Sequence, residues 1–188
     1  YWYQPMGTPS LTGVKVGADT ALKSSVGWAC NRLLAESLAS LPVHVRRRID
    51  DDRRVNAFDH PLYPVVHDRP NNRQTSVQFF DQMQTLVQMR GNAYARKILD
   101  PSGSGQTREL VPIPNDRITK IEVLPNRSVR YTERNNNGTN SVHLDDEIFH
   151  ITGLSLDGVT GVSVYEYHAA TIGLTLGTEE YAARYFGQ

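Results

Sequence analysis

Residues 75–99 read TSVQFFDQMQTLVQMRGNAYARKIL, and within this stretch the apolar period changes from that of a helix to that of a strand. Val77, Phe79, Phe80, Met83, Leu86 and Val87, closed by Arg90, recur at the three-and-four spacing of one helix face. Thr75 or Ser76 is placed to cap this helix, because a short hydroxyl side chain can accept a free N–H of the first turn. Gly91 is placed to end it, because glycine takes the left-handed backbone of a helix stop without a Cβ penalty. Residues 92–99 then read as a strand. A helix that feeds one strand and is followed by several more, with no helices between them, belongs to an α+β fold and not to an alternating α/β one.

Working outward, residues 1–18 hold Pro5, Gly7, Pro9, Gly13 and Gly17 and read as an irregular arm. Asp19 or Thr20 can cap a first helix. Its apolar positions are Leu22, Val26, Ala29, Cys30, Leu33, Leu34, Leu38 and Leu41, and Pro42 stops it. At ~1.5 Å per residue that helix is roughly 30 Å long. Ala29, Ala35 and Ala39 in its buried stripe suit close packing on a neighbour. Residues 43–46 alternate as a short strand, 46–54 form a charged turn, and 60–66 form a helical turn broken by Pro70-Asn71-Asn72.

Beyond residue 99, Asp100 to Gly105 is a turn, and prolines confine 109–113 to a sheet edge. Residues 118–124 alternate. Segments 128–133 and 141–144 flank Asn135-Asn136-Asn137-Gly138, a hairpin signal, and 148–151 is a last short strand. Ser163 caps a third helix over 164–186. The expected fold is therefore α+β, a mixed β-sheet and hairpin region flanked by three amphipathic helices, with an arm at 1–18 and one domain over 19–188.

The chain carries 20 Lys+Arg against 20 Asp+Glu. A protein that holds nucleic acid by neutralising many phosphates carries a cationic excess, and the total shows none. The single cysteine, Cys30, leaves no intrachain disulfide. No stretch approaches the ~18 apolar residues of a membrane span. The apolar share is 39% with Tyr counted. It becomes about 41% on the set that takes Gly instead, below the usual ~45–50%. Part of the stability is therefore expected to come from neighbouring subunits.

The most distinctive segment runs Gly153-Leu154-Ser155-Leu156-Asp157-Gly158-Val159-Thr160-Gly161-Val162-Ser163. It lies between a strand and a helix N-terminus, a context that suits an anion. It lacks the lysine of a phosphate-cradling loop and the Gly-x-Gly-x-x-Gly spacing. Asp157 stands where a hydrolase elbow needs glycine. A rigid turn setting the angle between sheet and helix fits it better than an active loop. His60 and His67, and His143 and His150, are seven apart, outside the short spacings of zinc ligands. His150 is expected to be a hydrogen-bonded structural residue, and Asp145, Asp146 and Glu147 a polar approach to its strand.

Arg46, Arg47, Arg48, Arg53 and Arg54 surround Asp50-Asp51-Asp52. Screening over ~10 Å makes these charges largely cancel at a distance. The segment reads first as a solvated hairpin tip with internal ion pairs, then as a subunit contact, and last as a DNA contact. Phe79-Phe80 and Tyr185-Phe186 read as packing groups. No residue is nominated as catalytic, cofactor-binding or metal-ligating, so the chemistry favours a structural or binding role.

Six segments, in order, resemble the portal proteins of long-tailed phages. They are Cys30-Asn31-Arg32 with Leu38-Ala39-Ser40-Leu41-Pro42-Val43; His60-Pro61-Leu62-Tyr63 with Arg69-Pro70-Asn71 and Thr75; Gly91-Asn92-Ala93-Tyr94-Ala95; Glu109-Leu110-Val111-Pro112-Ile113; His150 to Gly158 with Gly161-Val162-Ser163; and Glu179-Glu180-Tyr181-Ala182-Ala183-Arg184-Tyr185-Phe186. The resemblance covers residues 19–188. It departs at Val164, where the family often has proline. It implies the peripheral wing of a ring, typically of twelve copies, at one capsid vertex. Double-stranded DNA would pass through the ring without sequence specificity. The terminase large subunit would dock on it during packaging, and head–tail connector proteins afterwards. It places the protein in the virion, and in the host cytoplasm during assembly, with no membrane partner, no cofactor and no enzymatic activity. It also implies a chain continuing past Gln188 into stem, clip and crown. A head-to-tail ring needs two different complementary surfaces on each copy, for which 46–54 and the hairpin 133–141 are candidates. The alternatives are an enzyme acting on a phosphorylated or acyl substrate through 153–163, and a phage head or tail adaptor.

Overall fold

Thr75 decides where the second long helix begins. Its hydroxyl accepts the Gln78 N–H (3.3 Å), while the Gln78 side chain accepts the Thr75 N–H (3.0 Å), a complete capping box. Gly91 ends the helix with φ +76°, and the chain turns directly into a strand. The computed structural model describes residues 8–9, 15–17, 20 and 22–187. In chain order its elements are β1 (Thr8–Pro9), β2 (Lys15–Val16), α1 (Ser25–Ala39), β3 (Arg46–Arg48), β4 (Arg54–Asn56), α2 (Leu62–His67), α3 (Ser76–Arg90), β5 (Asn92–Leu99), β6 (Thr107–Ile113), β7 (Ile118–Val123), β8 (Val129–Arg134), β9 (Asn140–Leu144), β10 (Ile148–Thr152), α4 (Val164–Tyr167) and α5 (Ala169–Phe186).

β5 is the middle strand of a central sheet ordered β10–β5–β6, and β7–β8–β9 form a meander. β3 pairs with β4 and β1 with β2, and every pairing is antiparallel. The two-residue side-chain period of β5 divides the core. Ala93 and Ala95 pack with Val65, Phe79, Met83 and Leu110 against α2 and α3, whereas Tyr94 joins Ile113, Ile118, Tyr131 and Ile148 between sheet and meander. Glu133 of β8 is buried at 3% exposure and is answered by the Arg96 guanidinium of β5, tying the two sheets together. The edge strand β6 is blunted, as sheet edges commonly are. Pro70 O accepts the Leu110 N–H (2.7 Å), and the buried Asn71 side chain donates to Leu110 O (2.9 Å).

Three expected boundaries move. The long first helix starts at Ser25, separated by the turn at 22–24 from Thr20, which is itself helical. Thr20 Oγ1 accepts the Gly17 N–H (2.6 Å) and Thr20 O accepts the Lys23 N–H (3.1 Å), so Thr20 is engaged locally and does not cap the long helix. Asp19 and most of the arm lie outside the described residues. Residues 43 and 44 do not pair as a strand, because α2 engages them: His67 Nδ1 donates to Val43 O (2.9 Å), and the His44 ring stacks on His67 at 4.8 Å. Pairing begins at Arg46, so the expected charged turn is itself a hairpin. The third helix breaks at His168 (φ −102°, ψ 23°) into α4 and α5.

The first helix also turns a different face inward. Asn31, Ala35 and Ala39 are buried against α3, while Ala29, Val26, Leu33, Leu34, Leu38 and Leu41 are exposed. Small side chains let the two helices approach, which leaves the large ones outside.

The two meander turns share one geometry. Asn135–Thr139 closes around Gly138 at φ +80°, and Leu124–Ser128 closes around Arg127 at φ +68°. A residue with a Cβ costs about 1–2 kcal/mol in this region. Arg127→Gly is therefore expected to raise unfolding stability by about 0.5–1 kcal/mol, measured by urea denaturation, whereas Gly138→Arg should lower it.

Candidate functional site

The strand-to-helix segment 153–163 folds back onto the point where α3 becomes β5. Gly91 and Gly161 meet backbone to backbone, and a Cβ on either would overlap the other's carbonyl group. Asn92 clamps this contact. Its Oδ1 accepts the Gly161 N–H (2.8 Å) and its Nδ2 donates to Gly161 O (2.9 Å), so the amide mimics a strand partner. The Gly153 N–H donates to Gly91 O (2.8 Å), and Ser163 donates to Met89 O (2.6 Å) while capping α4 through the Glu166 N–H (3.2 Å). Tyr165 of α4 then reaches α1, donating to Gly27 O (3.1 Å).

His150 extends the clamp into the sheet interface. Asn92 Oδ1 already accepts from Gly161, so the facing His150 Nε2 (3.0 Å) carries the proton, and His150 Nδ1 accepts from the Tyr131 hydroxyl (3.1 Å). Burial pushes His150 down to about 4 and, with Asp145 adding, pushes Tyr131 up to about 12. Both are therefore neutral near pH 7, as the chain of donors requires. The expected structural role of His150 is what the geometry shows. The remaining histidines serve separate local contacts. His60 Nδ1 accepts the Leu62 N–H (3.2 Å), and His143 lies 3.1 Å from Glu147 and 3.3 Å from Glu133. Among the described residues no three His, Cys, Asp or Glu side chains converge as a metal site would need.

Within the loop, Asp157 is a turn organiser. Its carboxylate accepts from Thr160 Oγ1 (2.6 Å), Thr160 N (2.7 Å), Val159 N (2.8 Å) and Ser155 Oγ (3.0 Å). These donors, Thr160 first, hold its carboxyl well below the usual carboxylate range. A carboxylate so stabilised is a poor base, and Ser155 spends its proton on it while accepting the Gly158 N–H (2.9 Å). The pair suits a fixed loop better than a nucleophile and its activator. The Arg-rich segment holds one internal ion pair of the kind expected, Arg48 with Asp51, while Arg47 pairs outside it with Asp59 (2.8 Å). Tyr185 and Phe186, read as packing groups, are 68% and 82% exposed on α5.

The profile of the family described as phage portal protein matches residues 25–188. The chain belongs to the phage portal protein family. The portal protein of Enterobacteria phage HK97 is 23% identical over 172 residues, covering 91% of this chain and 39% of the phage protein. Protein BeeE of Escherichia coli (strain K12) is 28% identical over 104 residues, covering 55% of this chain and 64% of BeeE. The chain thus spans less than two thirds of either relative. Among solved structures, a chain in the neck of an empty gene transfer agent particle superposes with TM-score 0.72 at 20% identity, covering 91% of this chain and 46% of that one. A HK97 family phage portal protein from Corynebacterium diphtheriae gives TM-score 0.56 at 20% identity, covering 90% and 50%. At such identity these structures establish a shared fold. In this portal-family chain, sequence reading found the loop and both helix boundaries at the clamp. It missed Asn92 as the clamp itself, since nothing in the spacing links it to Gly161.

Two outcomes follow. Gly161→Ala and Gly91→Ala should each cost about 3 kcal/mol or more. Gly158→Ala, at φ +77° with open space around it, should cost only about 1–2 kcal/mol. Urea denaturation of the three variants checks the order. For His150, the folded value lies below the unfolded ~6.5, so its neutral state favours folding fully above that value and progressively less as pH falls towards 4. Unfolding free energy should drop by about 2 kcal/mol between pH 7 and pH 5, and His150→Gln should remove most of that drop.

Proposed function

We propose that this chain is the wing portion of a structural portal subunit, one of a ring of identical copies, typically twelve, at a capsid vertex. The family match over residues 25–188 carries this reading. On it, double-stranded DNA passes through the ring during packaging and ejection. The terminase large subunit docks during filling, and head–tail connector proteins dock afterwards. The protein then resides in the virion, and in the host cytoplasm while assembly proceeds. Stem and clip would be supplied by sequence beyond this chain.

The surface supports an assembled role. Large apolar side chains stand uncovered on α1 (Val26, Leu33, Leu34) and α5 (Leu174, Tyr181, Phe186), more than a subunit acting alone keeps in water. The loop 153–163, with its serine and aspartate committed to each other, is read as a joint between sheet and helix and not as a catalytic centre. No cofactor enters this reading.

The test uses the full-length gene product. Sedimentation velocity and native mass measurement should find closed multimers of a single kind of subunit. A full-length protein that stays monomeric at every concentration, or that hydrolyses substrate in a Ser155-dependent way, would overturn the proposal.

A further inference from the structure

The β3–β4 hairpin carries an arrangement that its own chain leaves incomplete. In its register Arg48 stands opposite Arg54, and Arg46 opposite Asn56. Residues directly opposite share a face, so Arg46, Arg48 and Arg54 line one side of the ribbon. Like charges in that relation disfavour the pairing. Arg48 is relieved only by Asp51, itself 94% exposed. Among the described residues Arg46, Arg53 and Arg54 form no ion pair. The three aspartates sit in the turn with Arg53, and Arg46, Arg47, Arg48 and Arg54 sit on the strands. At contact range the segment is thus a basic ribbon with an acidic tip, although its charges offset one another farther away.

Carboxylates without an ion-pair partner occur elsewhere on the chain, in a turn where the Lys97 ammonium donates to the backbone Asp145 O (3.1 Å). Asp145, Asp146 and Glu147 are all exposed in the turn between β9 and β10. His143 occupies Glu147, whereas the carboxylates of Asp145 and Asp146 form no ion pair among the described residues. The two charged elements attach to opposite edges of the central sheet. The arginine hairpin is held to α2 through the Phe58–Tyr63 ring contact and the His44 ring stacked on His67, and α2 packs on β6. The acidic turn leads into β10, its Glu147 O accepting the Lys97 N–H (2.8 Å). One molecule cannot bring them together, but successive copies side by side can. Two different, complementary surfaces on opposite sides of one subunit are what a head-to-tail ring requires.

We propose that the Arg46–Arg48–Arg54 face of one copy docks on the Asp145–Asp146 turn of the next copy around the ring. This rests on the ring reading above, and the partner is a second copy of the same chain. Charge complementarity at such a contact governs register and encounter rate more than total affinity, so the contact should be sensitive to salt.

The test is a charge exchange in the full-length protein, read as the fraction of closed multimer by sedimentation velocity from low to high NaCl. Arg46→Glu with Arg54→Glu, and separately Asp145→Arg with Asp146→Arg, should each raise the concentration needed for half assembly at least tenfold. Combining the four should restore most of the loss. All the altered side chains are exposed, so thermal melts of the variants should match the parent. Failure of the fourfold variant to recover, while the parent forms rings, overturns the docking and leaves the ring reading intact. Normal assembly of both double variants with weakened retention of duplex DNA assigns the arginine face to nucleic acid and overturns it as well. A parent protein that forms no ring removes the reading on which the docking stands.

Discussion

The fold depends on two backbones touching at Gly91 and Gly161. Side chains elsewhere can adjust to one another, but this contact has no adjustable part: a methyl group on either residue would occupy the other's carbonyl position. Around it the chain pairs the backbone groups of the contact with specific partners. Asn92 supplies a donor and an acceptor to Gly161, Gly91 O takes the Gly153 N–H, and Ser163 takes up the carbonyl left by Met89 at the end of α3. Two stretches some sixty to seventy positions apart are thereby fixed at one point, and the direction in which the chain leaves the sheet is settled there.

The same junction explains why the sheets sit as they do. His150 passes the polar chain from Asn92 to Tyr131, which lies between the central sheet and the meander. Arg96 and the buried Glu133 add a second crossing nearby. A buried carboxylate left without its cation would be strongly destabilising, so the meander is held in register by a charge as well as by apolar packing.

Much of this was legible in the sequence because the signals were local. Thr75, Gly91, the 92–99 strand and the Asn135–Gly138 hairpin each depend on residues within one turn of one another, and each stands where the pattern put it. The misreadings share a different cause. The start of α1 was lost to Thr20, whose hydroxyl folds back on Gly17. The strand at 43–46 was displaced by contacts from α2, some twenty residues away. The inner face of α1 was misassigned because periodicity identifies an apolar stripe without saying whether that stripe meets its own chain or another. The five leucines and valines pointing outwards are what hydropathy found, while Ala35, Ala39 and Asn31 are what α3 covers. At the clamp, Gly91 and Gly161 were each recognised singly; their meeting is a property of the assembled fold.

The break at His168 gives the glycine contact mechanical leverage. α5 has eighteen residues, about 27 Å at ~1.5 Å each; Ala169 near its start packs on Met89 and Tyr165, and β1 and β2 also contact it. A tilt of about 10° at the joint would sweep Phe186 through about 5 Å, roughly the height of one helical turn. The close approach of two glycine backbones thus governs, many residues later, where Phe186 comes to stand.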